Sequence, residues 1–215
     1  MKNSILLIFA ALIGMASPAA ATVLVNQPLD FDVPGHGYTS TSGSQQIAQD
    51  FVLAGAATAN ELSWWGSTRS VSYAFDILFF NDVAGLPDVN DFYSHTTGVL
   101  AGTFVGTDPD GGVSTSLWTT VIPDAVLDAG TTYWMSIREA SGASWQWQHA
   151  TSTGTRTVVR TSNNGTWQVA GSTERGANAY ILEGNERSTI PEPSTALLLG
   201  LGMLGAGLIR RKRRS

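Results

Sequence analysis

Three patterns of hydrophobic and polar positions divide the chain. Between residues 22 and 187 the apolar residues come in short runs, several of them alternating with polar ones at the two-residue period of a half-buried strand. The clearest is Val71-Ser72-Tyr73-Ala74-Phe75-Asp76-Ile77-Leu78-Phe79-Phe80. Val71, Tyr73, Phe75, Ile77 and Phe79 form one apolar face there, with Asp76 opposite. Leu62-Ser63-Trp64-Trp65 is another apolar run, and residues 46–53, 98–105, 113–122, 131–138, 144–149, 156–161 and 177–183 are further predicted strands. Turn chemistry separates them at Ala84-Gly85-Leu86-Pro87-Asp88, Asp108-Pro109-Asp110-Gly111-Gly112, Asp128-Ala129-Gly130 and Asn163-Asn164-Gly165. No amphipathic helix and no fixed repeat period stands out. Many short strands with such turns between them predict an all-β fold, a β-sandwich of jelly-roll-like form.

The two ends follow other rhythms. Residues 1–21 open with Lys2, continue through an apolar centre from Ile5 to Met15 and finish on Ala19-Ala20-Ala21. That is the layout of a secretory signal peptide cut before Thr22, which implies export through the Sec machinery and a signal peptidase. At the other end, Pro191-Glu192-Pro193 precedes an uncharged stretch from Thr195 to Ile209, then Arg210-Arg211-Lys212-Arg213-Arg214. Fifteen helical residues span about 22 Å, short against a ~30 Å hydrocarbon core. Snorkelling cations or local bilayer thinning absorb such a mismatch. The basic cluster predicts a cytoplasmic C-terminus, so residues 22 to about 190 lie outside. Pro191 and Pro193 keep the tripeptide extended and out of any helix, where an enzyme can read it.

The tripeptide, the short Gly/Leu-rich span and the basic stop, in that order over residues 188–215, resemble the PEP-CTERM sorting signal of Gram-negative bacteria. The resemblance implies recognition of Pro191, Glu192 and Pro193 by an exosortase, a membrane enzyme that cleaves such proteins. It also implies transient anchoring, delivery to the cell surface or extracellular matrix, and a link to exopolysaccharide and biofilm. A second resemblance covers the middle of the chain. Ala48-Gln49-Asp50-Phe51-Val52-Leu53, Asn60-Glu61-Leu62-Ser63-Trp64-Trp65-Gly66, Phe75-Asp76-Ile77-Leu78-Phe79-Phe80-Asn81-Asp82, Gly85-Leu86-Pro87 and Gly130-Thr131-Thr132-Tyr133-Trp134-Met135-Ser136-Ile137 are similar to an exported β-sandwich module without an agreed activity. Its motifs are those of a core and imply a fold, here residues 22–187, rather than a mechanism.

Charge changes the picture more than bulk composition does. The whole chain carries −5, but residues 22–189 hold six arginines, no lysine and sixteen acids, a net −10. The targeting segments carry the basic excess. So acidic a surface repels nucleic acid and anionic lipid and excludes nucleic-acid binding. The absence of cysteine removes disulfides, thiol nucleophiles and Cys-ligated metals.

Candidate chemistry is sparse. His36, His95 and His149 fall in no metal-ligand spacing, and there is no Gly-x-Ser-x-Gly elbow. Asp76 and Glu139 are carboxylates of the kind glycoside hydrolysis needs. Asp82, Asp88 and Asp91, with Asn90, are read as one loop, and Asp108 and Asp110 as another; these oxygens fit either a structural Ca2+ or ordinary turn chemistry. No other cofactor is implied. Among seven tryptophans, Trp145 and Trp147 alternate with Gln146 and Gln148 and share one strand face. That face either fills the core or, if exposed, stacks on sugar rings. The sequence thus favours a non-catalytic, exported surface or matrix protein sorted by exosortase. A carbohydrate-binding module that holds exopolysaccharide is the alternative, and a secreted hydrolase is the third reading.

Overall fold

The computed structural model describes residues 21–32, 37–68, 72–109, 112–151, 155–170 and 177–187. The signal peptide up to Ala20, the sorting tail, His36 and Asp110 lie outside the described residues. The strands are β1 (Thr22–Gln27), β2 (Tyr38–Thr39), β3 (Gln46–Val52), β4 (Ala57–Ser67), β5 (Ser72–Tyr73) and β6 (Phe75–Val83). Then come β7 (Leu86–Thr96), β8 (Leu100–Ala101), β9 (Thr103–Thr107), β10 (Ser114–Leu127), β11 (Thr132–Glu139) and β12 (Gln146–Trp147). The chain ends with β13 (His149–Ala150), β14 (Thr157–Arg160), β15 (Gln168–Val169), β16 (Ala177–Asn178) and β17 (Tyr180–Glu186).

Two antiparallel sheets carry the fold, an all-β, jelly-roll-like sandwich. One has the order β1-β17-β4-β10-β9, with β12 and β2 attached at its side; the other runs β15-β14-β3-β11-β6-β7. The chain passes repeatedly from one sheet to the other, as between β3 and β4, β10 and β11, and β15 and β17. Alternation along each strand places Ile47, Phe51, Phe75, Ile77, Phe79, Met135 and Ile137 of the six-stranded sheet against Leu62, Trp64, Trp118, Ile122, Tyr180 and Leu182 of the seven-stranded one. Aromatic edges join the layers: Trp64 meets Phe75 at 5.0 Å and Trp118 meets Phe75 at 5.4 Å, both near perpendicular. With no disulfide available, this core and the strand ladders hold the domain together.

Three sequence readings change. Val71 lies outside the described residues; Tyr73, Phe75, Ile77 and Phe79 form the predicted inner face, but Leu78 and Phe80 on the other face are buried too, in a second cluster with Ala48, Trp134, Val158 and Trp167. The supposed acidic loop is a hairpin: Asp82 lies on β6 and Asp88 and Asp91 on β7, joined by a two-residue turn with Ala84 at φ 54° and Gly85 at φ 87°. β7 is an edge strand, where Pro87 costs no ladder bond and exposed acids discourage edge-to-edge pairing. Finally, Trp145 and Trp147 are fully buried. Trp145 packs at 5.1 Å from Phe75, and Trp147 donates Nε1–H to the Ala179 carbonyl at 3.0 Å. Neither ring face reaches solvent, which removes the sugar-stacking role for this pair.

Candidate functional site

The outer face of the six-stranded sheet gathers a set of hydrogen-bonded polar and charged side chains. Period-two alternation on β3, β6, β11 and β14 sends Gln46, Asp76, Ser136, Arg138 and Arg160 to this face. They form one hydrogen-bonded row across the sheet. Arg160 Nε donates to Gln46 Oε1 at 2.8 Å, and Gln46 Nε2 donates to Ser136 Oγ at 2.9 Å. Arg138 Nε donates to Asp76 Oδ2 at 2.9 Å, and Thr96 Oγ1 donates to Asp76 Oδ1 at 2.7 Å. Burial, followed by the neighbouring Arg138, pulls the Arg160 guanidinium down to about 10, with Asp91 working the other way. It remains a cation at neutral pH, and it stacks 4.4 Å from Trp167 and 5.6 Å from Phe80.

A second cation closes the other end of the face. Arg156 Nε donates to Asp50 Oδ2 at 2.6 Å, its NH2 lies 3.6 Å from Asp82 Oδ1, and its plane stacks 5.0 Å from the Trp134 ring. Asp82 also accepts the Trp134 indole N–H at 2.8 Å. Arg156 thereby ties the β6–β7 hairpin to β3 and to the residues entering β14. Beside it lies a groove of about 440 Å3, walled by Val83 and residues 86–89 on one side and residues 164–167 on the other. Trp167 lines it but is only 4% exposed.

The acids expected to do chemistry are placed apart. Asp76 pairs with Arg138 across β6 and β11, and Glu139 lies opposite Phe75 one position on. The two carboxylates therefore lie on opposite faces of one sheet and cannot flank a common bond. Asp88 Oδ1 accepts the Asn90 amide at 3.2 Å, ordinary turn-like chemistry. Asp108 is buried, beyond β9 at the far end of the sandwich from the Asp82 hairpin. Among the described residues no group of three or more His, Asp or Glu side chains gathers as a metal site. Nor, among those residues, is there a helix long and apolar enough to cross a membrane.

Sequence reasoning missed Arg156, Arg160, Trp134 and Trp167. The signal for the first two was present: residues 156, 158 and 160 alternate onto one strand face, with Val158 buried between the two arginines.

In this sandwich Asp50, Asp76, Asp82 and Asp128 pair with arginines, and the sequence continues into a short apolar run and a basic stop. Such a chain belongs to the class of exported proteins that pass through a membrane-anchored stage before release at the surface. Residues 189–214 match the family model for the PEP-CTERM protein-sorting motif. The chain thus carries a PEP-CTERM sorting motif, which indicates an exported protein sorted by exosortase. No curated protein and no solved structure matches it.

Proposed function

We propose that the sandwich is a non-catalytic structural or adhesive unit that exosortase delivers to an extracellular matrix of exopolysaccharide, in the setting of a biofilm. The observation that carries this reading is the pairing of the sorting motif with a sandwich whose outer-face Asp50, Asp76 and Asp82 are held by Arg156 and Arg138. An acid held by a guanidinium is a poor proton donor and a poor nucleophile. Export by the Sec machinery and removal of residues 1–21 by a signal peptidase complete the route.

The test is a deletion strain of the native host, complemented with the full chain. Loss of cell-retained polysaccharide on deletion, restored by the chain, supports the reading. Release of new reducing ends from that polysaccharide by the purified protein would replace it with the hydrolase reading. One observation favours carbohydrate binding as a second reading: the groove between residues 83–89 and 164–167 has apolar walls with Asp88 and Asn164 among them, a composition suited to an uncharged sugar. Slower migration through gels containing neutral polysaccharide, lost on substitution of Asp88 and Asn164, would support it.

A further inference from the structure

Both ends of the described domain leave the sandwich at the same place. Thr22, which follows the signal peptide, pairs with Gly184, and Glu186 at the end of β17 pairs with Ala57. Arg187 then donates its amide to the Ala56 carbonyl at 2.7 Å, and its guanidinium reaches the Leu127 carbonyl at 2.9 Å and Asp128 at 2.6 Å. Gly130 N–H bonds the Leu53 carbonyl at 2.9 Å, and Val83 pairs with Leu86 across the neighbouring turn. Three turns, 53–57, 83–86 and 127–131, therefore lie at the end of the sandwich from which the sorting tail leaves.

The chemistry of this end differs from the rest of the domain. Each turn contains an Ala-Gly pair: Ala54-Gly55, Ala84-Gly85 and Ala129-Gly130. Asp128 is the only charged residue in the three turns, and Arg187 neutralises it. Val52, Val83 and Val126 around them are more than half exposed. Ala84 is the one non-glycine residue with positive φ among the described residues, at a turn position where Asn is the better-suited polar choice. An apolar side chain stands there despite the steric cost of roughly 1–2 kcal/mol that the left-handed conformation carries.

Chain length decides what can cover this end. From Arg187 to Pro191 is four residues, a reach of at most about 14 Å, and from Arg187 to Ala196 nine residues, about 30 Å fully extended. β4 alone rises roughly 34 Å from Ala57 at the exit end to Ser67 at the other. With the apolar tail in the bilayer, the tether is too short for the far end to turn toward the lipid. A side-on pose would press the acidic flanks against anionic headgroups, which repel them.

Resting on the reading of residues 196–209 as a membrane anchor, we propose that the exit end is a seating surface for the lipid bilayer. The Ala-Gly turns and exposed valines touch the headgroup region before the tail is cut. The seat holds Pro191-Glu192-Pro193 at the membrane surface, where a membrane enzyme works.

The lack of cysteine lets single labels be placed without removing any native thiol. The full chain would carry a fluorophore at Ala54→Cys or Ala129→Cys on the exit end, at Ala143→Cys near the far end, or at Met203→Cys in the tail. Each variant is reconstituted into vesicles of phosphatidylethanolamine with a minor share of phosphatidylglycerol and a headgroup-quencher lipid. Quenching at residues 54 and 129 severalfold above that at 143, reduced by Ala84→Asp with Val83→Asp, is the expected result. Equal quenching at both ends, with Met203→Cys shielded from aqueous quencher, would overturn the seating while leaving the anchor intact. A Met203 label open to aqueous quencher would overturn the anchor and the seating together.

Discussion

Gly66→Ala probes the packing that removed Trp145 from the surface. Gly66 lies on β4, opposite Ser116 on β10 and against Trp147 of β12. A Cβ there would come within 2.5 Å of Trp145 Nε1, with two ring carbons closer still. Ordinary carbon contacts settle at about 3.5–4.0 Å, so the indole would have to move by roughly 1 Å. It has little room to do so. The ring is fully buried, 5.1 Å from Phe75 and 6.3 Å from Trp118, both themselves buried. Overpacking of this kind costs about 1–3 kcal/mol. For a domain of this size that lowers Tm by roughly 2–10 °C. Urea unfolding followed by tryptophan fluorescence would show a lower midpoint with an unchanged slope. An unchanged midpoint, with the near-ultraviolet dichroism also unaltered, would mean that Trp145 does not pack against β4 and that the core assignment of the 145–147 face is wrong.

Other consequences follow from the same packing. Trp147→Ala removes a buried indole and its bond to the Ala179 carbonyl, and should cost about 3–5 kcal/mol in the same assay. Asp76→Asn leaves Arg138, 14% exposed at its side chain, without its counter-charge and should cost about 1.5–3 kcal/mol; adding Arg138→Met should recover part of that loss in a double-mutant cycle. Burial, and Asp124 secondarily, push the Tyr93 phenol up to about 12, and its hydroxyl donates to the Pro123 carbonyl at 2.9 Å. A phenol pKa raised by folding contributes stability that is complete below pH 10 and is lost as pH rises through 12. Equilibrium unfolding across that window should show a steeper loss for the wild type than for Tyr93→Phe.

The legible part of the fold was where alternation runs unbroken. β3, β6, β11 and β14 all appeared as strands within a few residues of their true ends, because Ile47, Ile77, Met135 and Val158 keep a simple two-residue period with their neighbours. β4 and β10 were harder. Ala57 and Ala59 face inward, yet so do Leu62 and Trp64, because Asn60 forms an extra residue where the β17 pairing shifts between Glu183 and Gly184. The β10 pairing shifts at the same level, between Val121 and Ala125, so Trp118 and Ile122 fall out of phase with Ala125 and Leu127. A bulge reverses the parity on which pattern reading depends. β7 was lost for a different reason: its Pro and Asp residues suit an edge strand as well as they suit a turn. The outer-face site was the least legible, since Gln46, Asp76, Arg138 and Arg160 are brought into one row only by strand order. The sorting signal needed no fold at all, because a Pro-Glu-Pro tripeptide, an uncharged apolar run and a basic cluster are local properties of the sequence.

The most direct test is the mass of the protein recovered from the envelope and medium of its native host, beside a Pro191→Ala/Glu192→Ala/Pro193→Ala variant. Processing by exosortase predicts a wild-type chain that ends near Pro191 and a variant that keeps its apolar tail in the membrane. Recovery of both chains with residues 210–215 still attached would contradict sorting by cleavage, and with it the delivery of this sandwich to the extracellular matrix.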